Sequence, residues 1–138
     1  MKKKAFEVMV DQFSSPCPSV ARLDTSLFEI AETMLNKQIR HLPVVDEKNR
    51  PVGIVSDRDL RILQGLQCDR NTPARDFMTK DPYTAYAGTP LEEVAFEMSQ
   101  RKIGSAIVSN AEGEIEGIFT STDGLNALIE VIRGETLT

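Results

Sequence analysis

Apolar positions along the chain follow two periodicities in turn, and the whole alternation then repeats. Leu27, Ile30, Ala31, Met34 and Leu35 fall at i, i+3, i+4, i+7 and i+8, the single stripe of an amphipathic helix. Ser26 and Glu29 have the spacing of a capping box at its start, with Thr25 as an alternative cap. Ile39 to Asp46 then reads as an extended segment whose valines suit a buried strand. Glu47-Lys48-Asn49-Arg50 is a polar hairpin turn, and Pro51 to Val55 is the return strand, with Pro51 tolerated at its first position. Ser56 caps a second helix that sets Leu60, Leu63 and Leu66 on one side, before Gly65 and the polar run Gln67 to Thr72 end it. Ahead of all this, Phe6, Val8, Met9 and Val10 among charges suggest a short helix or lead-in strand, and Pro16 and Pro18 break it. A brief strand is expected around Ser19 to Ala21.

Adding 64 to these numbers reproduces the pattern without a gap from Phe13 to Leu63. Phe13 matches Phe77, Pro18 matches Pro82, Leu27 matches Leu91, Glu29 matches Glu93, Met34 matches Met98 and Val44 matches Val108. Gly53-Ile54-Val55-Ser56-Asp57-Arg58-Asp59 returns as Gly117-Ile118-Phe119-Thr120-Ser121-Thr122-Asp123, a strand running into a helix with a hydroxyl and a carboxylate on its first turn. In the second copy Thr89, Pro90 and Glu92 predict an N-cap, N1 and N3. The expected organisation is a first repeat over 1–66, a linker over 67–73 and a second repeat over 74–138. Neither half is large enough for a comfortable core alone, which predicts that the two pack through their sheets. The fold class is α/β in the α+β sense, each repeat a small sheet with flanking helices.

Composition narrows what such a duplicated site could serve. At 138 residues, 41% hydrophobic and 27% charged, the chain is an ordinary globular domain in size and make-up. No apolar run approaches the roughly 20 residues that cross a bilayer. Lys2-Lys3-Lys4 resembles the start of a signal peptide, but Glu7 and Asp11 interrupt the apolar stretch that should follow, so a cytoplasmic location is expected. A net charge of −5 argues against a nucleic-acid coat, which needs a basic face. Cys17 and Cys68 form no CxxC and have a single histidine, His41, to join them, so both are expected to be reduced and no metal site is expected. There is no glycine-rich phosphate loop and no nucleophile with an orienting base, which argues against an enzyme.

Two adjacent repeats, each with a helix, a strand like Arg40-His41-Leu42-Pro43-Val44-Val45-Asp46, a hairpin and Gly53-Ile54-Val55-Ser56-Asp57-Arg58-Asp59-Leu60 entering a helix, resemble a tandem pair of cystathionine-β-synthase (CBS) domains, the Bateman module. The resemblance runs from about Val8 to Arg133. The second copy departs from it: Gly104 to Asn110 lacks the basic pair and the proline, and Gly124 replaces Leu60. The resemblance implies a stand-alone module of bacterial type, with two pseudo-two-fold-related repeats whose clefts hold an adenosine-containing ligand such as AMP, ADP, ATP or S-adenosylmethionine. It also implies a homodimer packed through helices and the regulation of a partner protein whose identity the sequence does not carry.

On that resemblance Asp59 and Asp123 clamp a ribose, because a carboxylate on a first helical turn can accept hydrogen bonds from both ribose hydroxyls. Ser56, Arg58, Thr120 and Thr122 line the phosphate side, where hydroxyls, free backbone N–H groups and a forked cation suit an anion. Arg40 and His41 are implied to face the cleft beside Asp123, and Gly104 and Ser105 the one beside Asp59. Against this stands simple capping: Ser56-x-x-Asp59 and Thr120-x-x-Asp123 both fit the pattern in which hydroxyl and carboxylate satisfy orphan N–H groups. Three function classes remain: an adenosine-ligand sensor, an interaction module with degenerate sites, and nucleic-acid binding, which Lys2-Lys3-Lys4 favours and the acidic balance opposes. Exposed stripes on the last helix of each repeat, Leu60 and Leu63 in one and Leu125, Leu128, Ile129 and Ile132 in the other, are expected to meet a second chain.

Overall fold

The register of 64 is kept by the backbone. The computed structural model describes residues 8–16 and 19–134, so Phe6, Cys17 and Pro18 lie outside it. Among the described residues the order is β1 (Ser15–Pro16), β2 (Ala21–Arg22), α1 (Leu27–Lys37), β3 (His41–Val45), β4 (Pro51–Ser56), α2 (Asp57–Gly65), β5 (Thr79–Lys80), β6 (Thr84–Tyr86), α3 (Leu91–Arg101), β7 (Ser105–Ser109), β8 (Ile115–Thr120) and α4 (Ser121–Arg133), with 3-10 turns at Val10–Gln12 and Ala74–Asp76. The lead-in is thus a 3-10 turn followed by a two-residue strand, and the brief strand near Ser19 falls at Ala21–Arg22.

Contacts gather the chain into two units, one of residues 19–82 and one joining 8–16 to 83–134. The first holds a mixed sheet ordered β2-β3-β4-β5, with β2 parallel to β3 and the other pairs antiparallel. Leu27, Ile30 and Met34 of α1 and Leu60 of α2 pack on Leu42, Val44 and Val55 of that sheet. The second unit holds β1-β8-β7-β6, in which β6 is parallel to β7. Its core gathers Val10, Val94, Met98, Ala106, Val108 and Phe119. The separate sheets and four helices make this the α+β fold expected.

Turn chemistry explains why the hairpins match. Asp46 Oδ1 accepts from the N–H groups of Lys48 and Arg50 at 2.8 and 3.0 Å, and Asn110 Oδ1 does the same for Glu112 and Glu114 at 3.0 and 2.9 Å. These Asx turns leave the next left-handed position to Asn49 in one hairpin and Gly113 in the other. The two amides hold the Asp46 carboxyl below its ordinary value, Arg50's first.

Some expectations change. Ser26 is the cap of α1, its Oγ accepting from Glu29 N–H at 3.1 Å. Thr89 does not cap α3, whose preceding residue is Pro90 and makes no side-chain cap. An isolated bridge between Met9 and Pro90 brings up backbone instead, and Leu91 N–H donates to the Val8 carbonyl at 2.7 Å. The same device serves α1, where Leu27 N–H donates to Thr72 O at 2.8 Å beside a bridge between Ser26 and Pro73. Leu35 and Leu66 are 78 and 71% exposed, because Leu27, Ile30 and Met34 already fill the buried face and α2 ends at Gly65. Leu60 is core, not outer stripe, whereas Leu125, Leu128, Ile129 and Ile132 do face outward.

The glycines of the repeated motif are required by the edge strands. A Cβ on Gly117 would lie 2.7 Å from the Ser15 carbonyl oxygen of β1, and one on Gly53 would collide with the Met78 side chain. Gly117→Ala is therefore expected to destabilise by about 1–3 kcal/mol, because a main-chain oxygen must move. Gly65→Ala, with open space around it, should instead stabilise by about 0.4–1 kcal/mol. Urea midpoints of the two variants moving in the same direction would contradict the assignment.

Candidate functional site

Each unit carries one copy of the site where an inner strand enters a helix. In the first, β4 runs into α2 through Ser56, whose extended backbone (φ −103°, ψ 158°) lets its side chain turn back over the helix start. Asp59 N–H donates to Ser56 Oγ at 3.1 Å, and Ser56 N–H donates to Asp59 Oδ2 at 3.1 Å. In the second, Thr120 N–H donates to Asp123 Oδ2 at 2.9 Å, and Asp123 N–H donates to Thr120 Oγ1 at 3.4 Å. Thr120 Oγ1 lies 3.1 Å from the same Oδ2. Both are reciprocal capping boxes, so the capping chemistry is realised at both sites.

These caps leave something over. Each carboxylate is engaged through Oδ2, and neither Oδ1 has a hydrogen-bond partner among the described residues. Asp59 and Asp123 are both half-buried. The helix start concentrates partial positive charge there, so an anion or a hydroxyl-rich ligand meets both a donor field and an acceptor.

Sequence reasoning missed a main-chain contribution. Asp57 N–H, at the first position of α2, donates to Arg40 O at 2.8 Å, and Ser121 N–H donates to Gly104 O at 3.1 Å. The residue before each first inner strand therefore fixes the helix start with its carbonyl, whatever its side chain is. The tolerance of this position for Arg40 in one repeat and Gly104 in the other follows from that. The only trace in the sequence was the constant spacing.

Within the first unit the antiparallel register sets His41 opposite Ser56, and in the second it sets Ser105 opposite Thr120. His41 is half-buried and Ser105 buried. Burial draws the His41 pKa below its ordinary 6.5; Asp59 opposes this, Arg40 reinforces it and Asp57 opposes it more weakly. Thus Arg40, His41, Ser56 and Asp59 are gathered at one junction, and Ser105, Thr120 and Asp123 at the other. Arg58, Arg40 and Thr122 are exposed. Among the described residues no group of histidine, cysteine, aspartate and glutamate has the arrangement to hold a metal ion, and no helix is long and apolar enough to cross a membrane.

Comparison with known proteins also finds the duplication. The family model for the CBS domain matches twice, over residues 7–64 and 74–130. An L-aspartate semialdehyde sulfurtransferase of Methanocaldococcus jannaschii is 32% identical over 121 residues, 88% of this chain but 23% of the enzyme. The chain likewise spans 21% of an inosine-5′-monophosphate dehydrogenase of Aquifex aeolicus, at 34% identity over 77% of its own length. A CBS domain-containing protein of Dictyostelium discoideum is matched over 95% of its length and 92% of this chain, at 29% identity. Among solved structures, a CBS domain pair in complex with 5′-methylthioadenosine and S-adenosyl-L-methionine has a TM-score of 0.82 at 27% identity, covering 91% of this chain and 98% of that one. The protein CBSX2 in complex with AMP has a TM-score of 0.80 at 28% identity, with the same coverage of both chains.

The lowered His41 pKa gives a stability dependence with a definite sign. Because the folded value lies below the unfolded 6.5, the unfolded chain binds more protons between the two, and stability rises with pH there. Urea unfolding of the wild type should show stability lost as pH falls through 6.5 toward the folded value, and His41→Gln should flatten that dependence. An unchanged slope in His41→Gln would refute it. Ser56→Ala, which removes one half of a cap, should cost about 0.5–2 kcal/mol in the same measurement.

Proposed function

Since the chain belongs to the CBS-domain family, with one copy of the domain in each repeat, we propose that it is a regulatory module that binds an adenosine-containing ligand and signals that binding to a partner protein. The observation that carries the reading is the duplicated helix start, where a hydroxyl, a half-buried carboxylate with one oxygen to spare and the helix N-terminus converge. It gains support from two solved CBS pairs, at 27 and 28% identity, that hold 5′-methylthioadenosine, S-adenosyl-L-methionine or AMP.

In the proposed mode Asp59 and Asp123 turn Oδ1 toward the two hydroxyls of a ribose while keeping the cap through Oδ2. Ser56, Arg58 and His41 serve the anionic end at the first junction, where the exposed Arg58 guanidinium can pair with phosphate in two parallel hydrogen bonds. Thr120, Thr122 and Ser105 offer hydroxyls at the second. Arg40 adds a further cation, its carbonyl being already committed to α2. The first junction therefore suits a phosphorylated nucleoside better than the second, the reverse of the expectation that Arg40 and His41 favour the Asp123 side, because His41 lies opposite Ser56 in the first unit; AMP, ADP, ATP and S-adenosylmethionine are the candidates. No catalytic step is assigned to these residues; the module works by differential binding between two conformations. It acts as a homodimer through the last helices of the repeats, which expose Ile62 on α2 and Leu125, Leu128, Ile129 and Ile132 on α4, and in the cytoplasm, where the exposed and unpaired Cys68 suits a reducing compartment.

A second reading has an observation of its own: among the described residues the capping boxes account for every side-chain hydrogen bond of Ser56, Asp59, Thr120 and Asp123, as an interaction module with degenerate ligand sites would have it.

Thermal unfolding of ligand-stripped protein separates the two. A ligand at a hundredfold excess over its dissociation constant should stabilise by about 2.7 kcal/mol, which is roughly 9 °C in Tm at the usual unfolding entropy per residue. Asp59→Asn or Asp123→Asn should weaken binding about tenfold or more at its own site by removing a charged acceptor. An asparagine at this third helical position keeps a side-chain carbonyl that can accept from the Ser56 or Thr120 N–H, so the unliganded Tm should stay close to wild type. If AMP, ADP, ATP and S-adenosylmethionine all leave the melting curve unchanged, the sensor reading fails and the interaction module replaces it.

A further inference from the structure

The two junctions differ in kind at the first residue of the inner strand. His41 opens β3 and stands opposite Ser56, whereas Ser105 opens β7 and stands opposite Thr120. Residues directly opposite in an antiparallel pair have Cβ atoms about 4.5–5.5 Å apart on one face of the sheet. His41 therefore shares a face with the hydroxyl that closes the α2 cap, and Ser105 with the hydroxyl that closes the α4 cap. Leu42, the next residue along, turns into the core with Val44 and Val55, so alternation sets His41 on the face away from that core.

Burial is the largest influence on the ring and keeps it neutral at pH 7; Asp59 then favours a proton, Arg40 opposes it and Asp57 favours it. Among the described residues no charged group of α1, β2 or β5 acts on the ring, and its nitrogens make no hydrogen bond. The imidazole is thus a base with an unused lone pair, held against the start of α2 beside the spare oxygen of Asp59. A phosphate carries about −1.5 to −2 charges near pH 7 and adds more negative charge than either carboxylate. At the second junction the same position holds Ser105, buried and without a titrating group.

We infer that the first junction takes up a proton on His41 when it binds an anionic nucleoside phosphate, so that acidity tightens anion binding there and not at the second junction. The inference rests on the adenosine-ligand reading above and adds to it the charge class that the first junction selects and the condition that strengthens the selection. The proton comes from solvent and turns a ring nitrogen from an acceptor into a donor toward a phosphate oxygen. The unliganded ring is neutral above its folded pKa, which lies below 6.5, and an adjacent phosphate raises that value. Between the two values the complex holds more protons than the unliganded protein, so affinity for the anion rises as pH falls through that window and levels off below it. An uncharged nucleoside offers the ring no countercharge, and the sulfonium of S-adenosylmethionine opposes the proton.

His41 is the one histidine of the chain, so its ring resonances in the NMR spectrum of the full untagged protein need no assignment. Saturating AMP should raise the His41 titration midpoint by about half a pH unit or more, and saturating adenosine should not raise it. By linkage a rise of half a unit makes AMP bind about threefold tighter below the window than above it. The phosphate's own titration, near pH 6, cancels when wild type is compared with His41→Gln, which should lack this gain. Asp59→Asn should increase the AMP concentration needed to shift the midpoint more than Asp123→Asn does, and the reverse order overturns the inference. A midpoint that AMP leaves in place or lowers while it moves the melting curve, or an equal rise with adenosine, overturns the inference and leaves the adenosine-ligand reading standing. AMP that does not move the melting curve overturns it too, and the adenosine-ligand reading falls with it only if ADP, ATP and S-adenosylmethionine behave alike.

Discussion

The first turn of a helix has backbone N–H groups with no partner inside the helix, and the arrangement of this chain follows from how those groups are satisfied. The helices α2 and α4 use side chains, each hydroxyl and carboxylate closing a reciprocal box. All four helices also use backbone that arrives from elsewhere in the chain, the carbonyls of Thr72, Arg40, Val8 and Gly104 serving α1 to α4 in turn. The two solutions have different consequences. A carbonyl that already accepts from a first-turn N–H is committed. A carboxylate that uses one oxygen leaves the other for a ligand, and at α2 and α4 that carboxylate is half-buried beside the inner strands, whereas Glu29 in the box of α1 is exposed.

Much of this was legible in the sequence because duplication makes a weak local signal strong. The hairpins, the inner strands, the Ser26 cap and both hydroxyl–carboxylate boxes were all readable from residue types at fixed spacing, and the CBS resemblance rested on the same residues. Thr89 misled because Thr-Pro-x-Glu is a good local cap, while the acceptor that prevailed was backbone from residue 8, far away along the chain. Leu35 and Leu66 misled because periodicity marks a helix face and cannot say how wide a stripe the sheet will cover. Leu60 misled in the opposite sense. It was read as outward, and a sheet built from Leu42, Val44 and Val55 drew it into the core.

The glycines of the repeated motif are a related lesson. Beside a presumed site, a glycine invites a functional account, yet Gly53 and Gly117 are held by the approach of Met78 and of the Ser15 carbonyl. The departures in the second repeat read differently once the packing is visible. Where the first repeat has Val55 with Leu60 the second has Phe119 with Gly124, so bulk sits on the strand instead of the helix and the Phe119 ring reaches within 3.7 Å of where a Gly124 Cβ would be.

The pairing of β1 with β8 fixes an order of assembly during synthesis. Ser15 lies opposite Ile118, so a strand made among the first residues waits for its partner until nearly the whole chain exists. Residues 19–82 hold every strand of their own sheet and can close it much earlier. At about 5–20 residues per second a ribosome needs a few seconds more to deliver β8. For that interval residues 8–16 are a tethered edge without a sheet, and the nascent chain is half folded and half waiting.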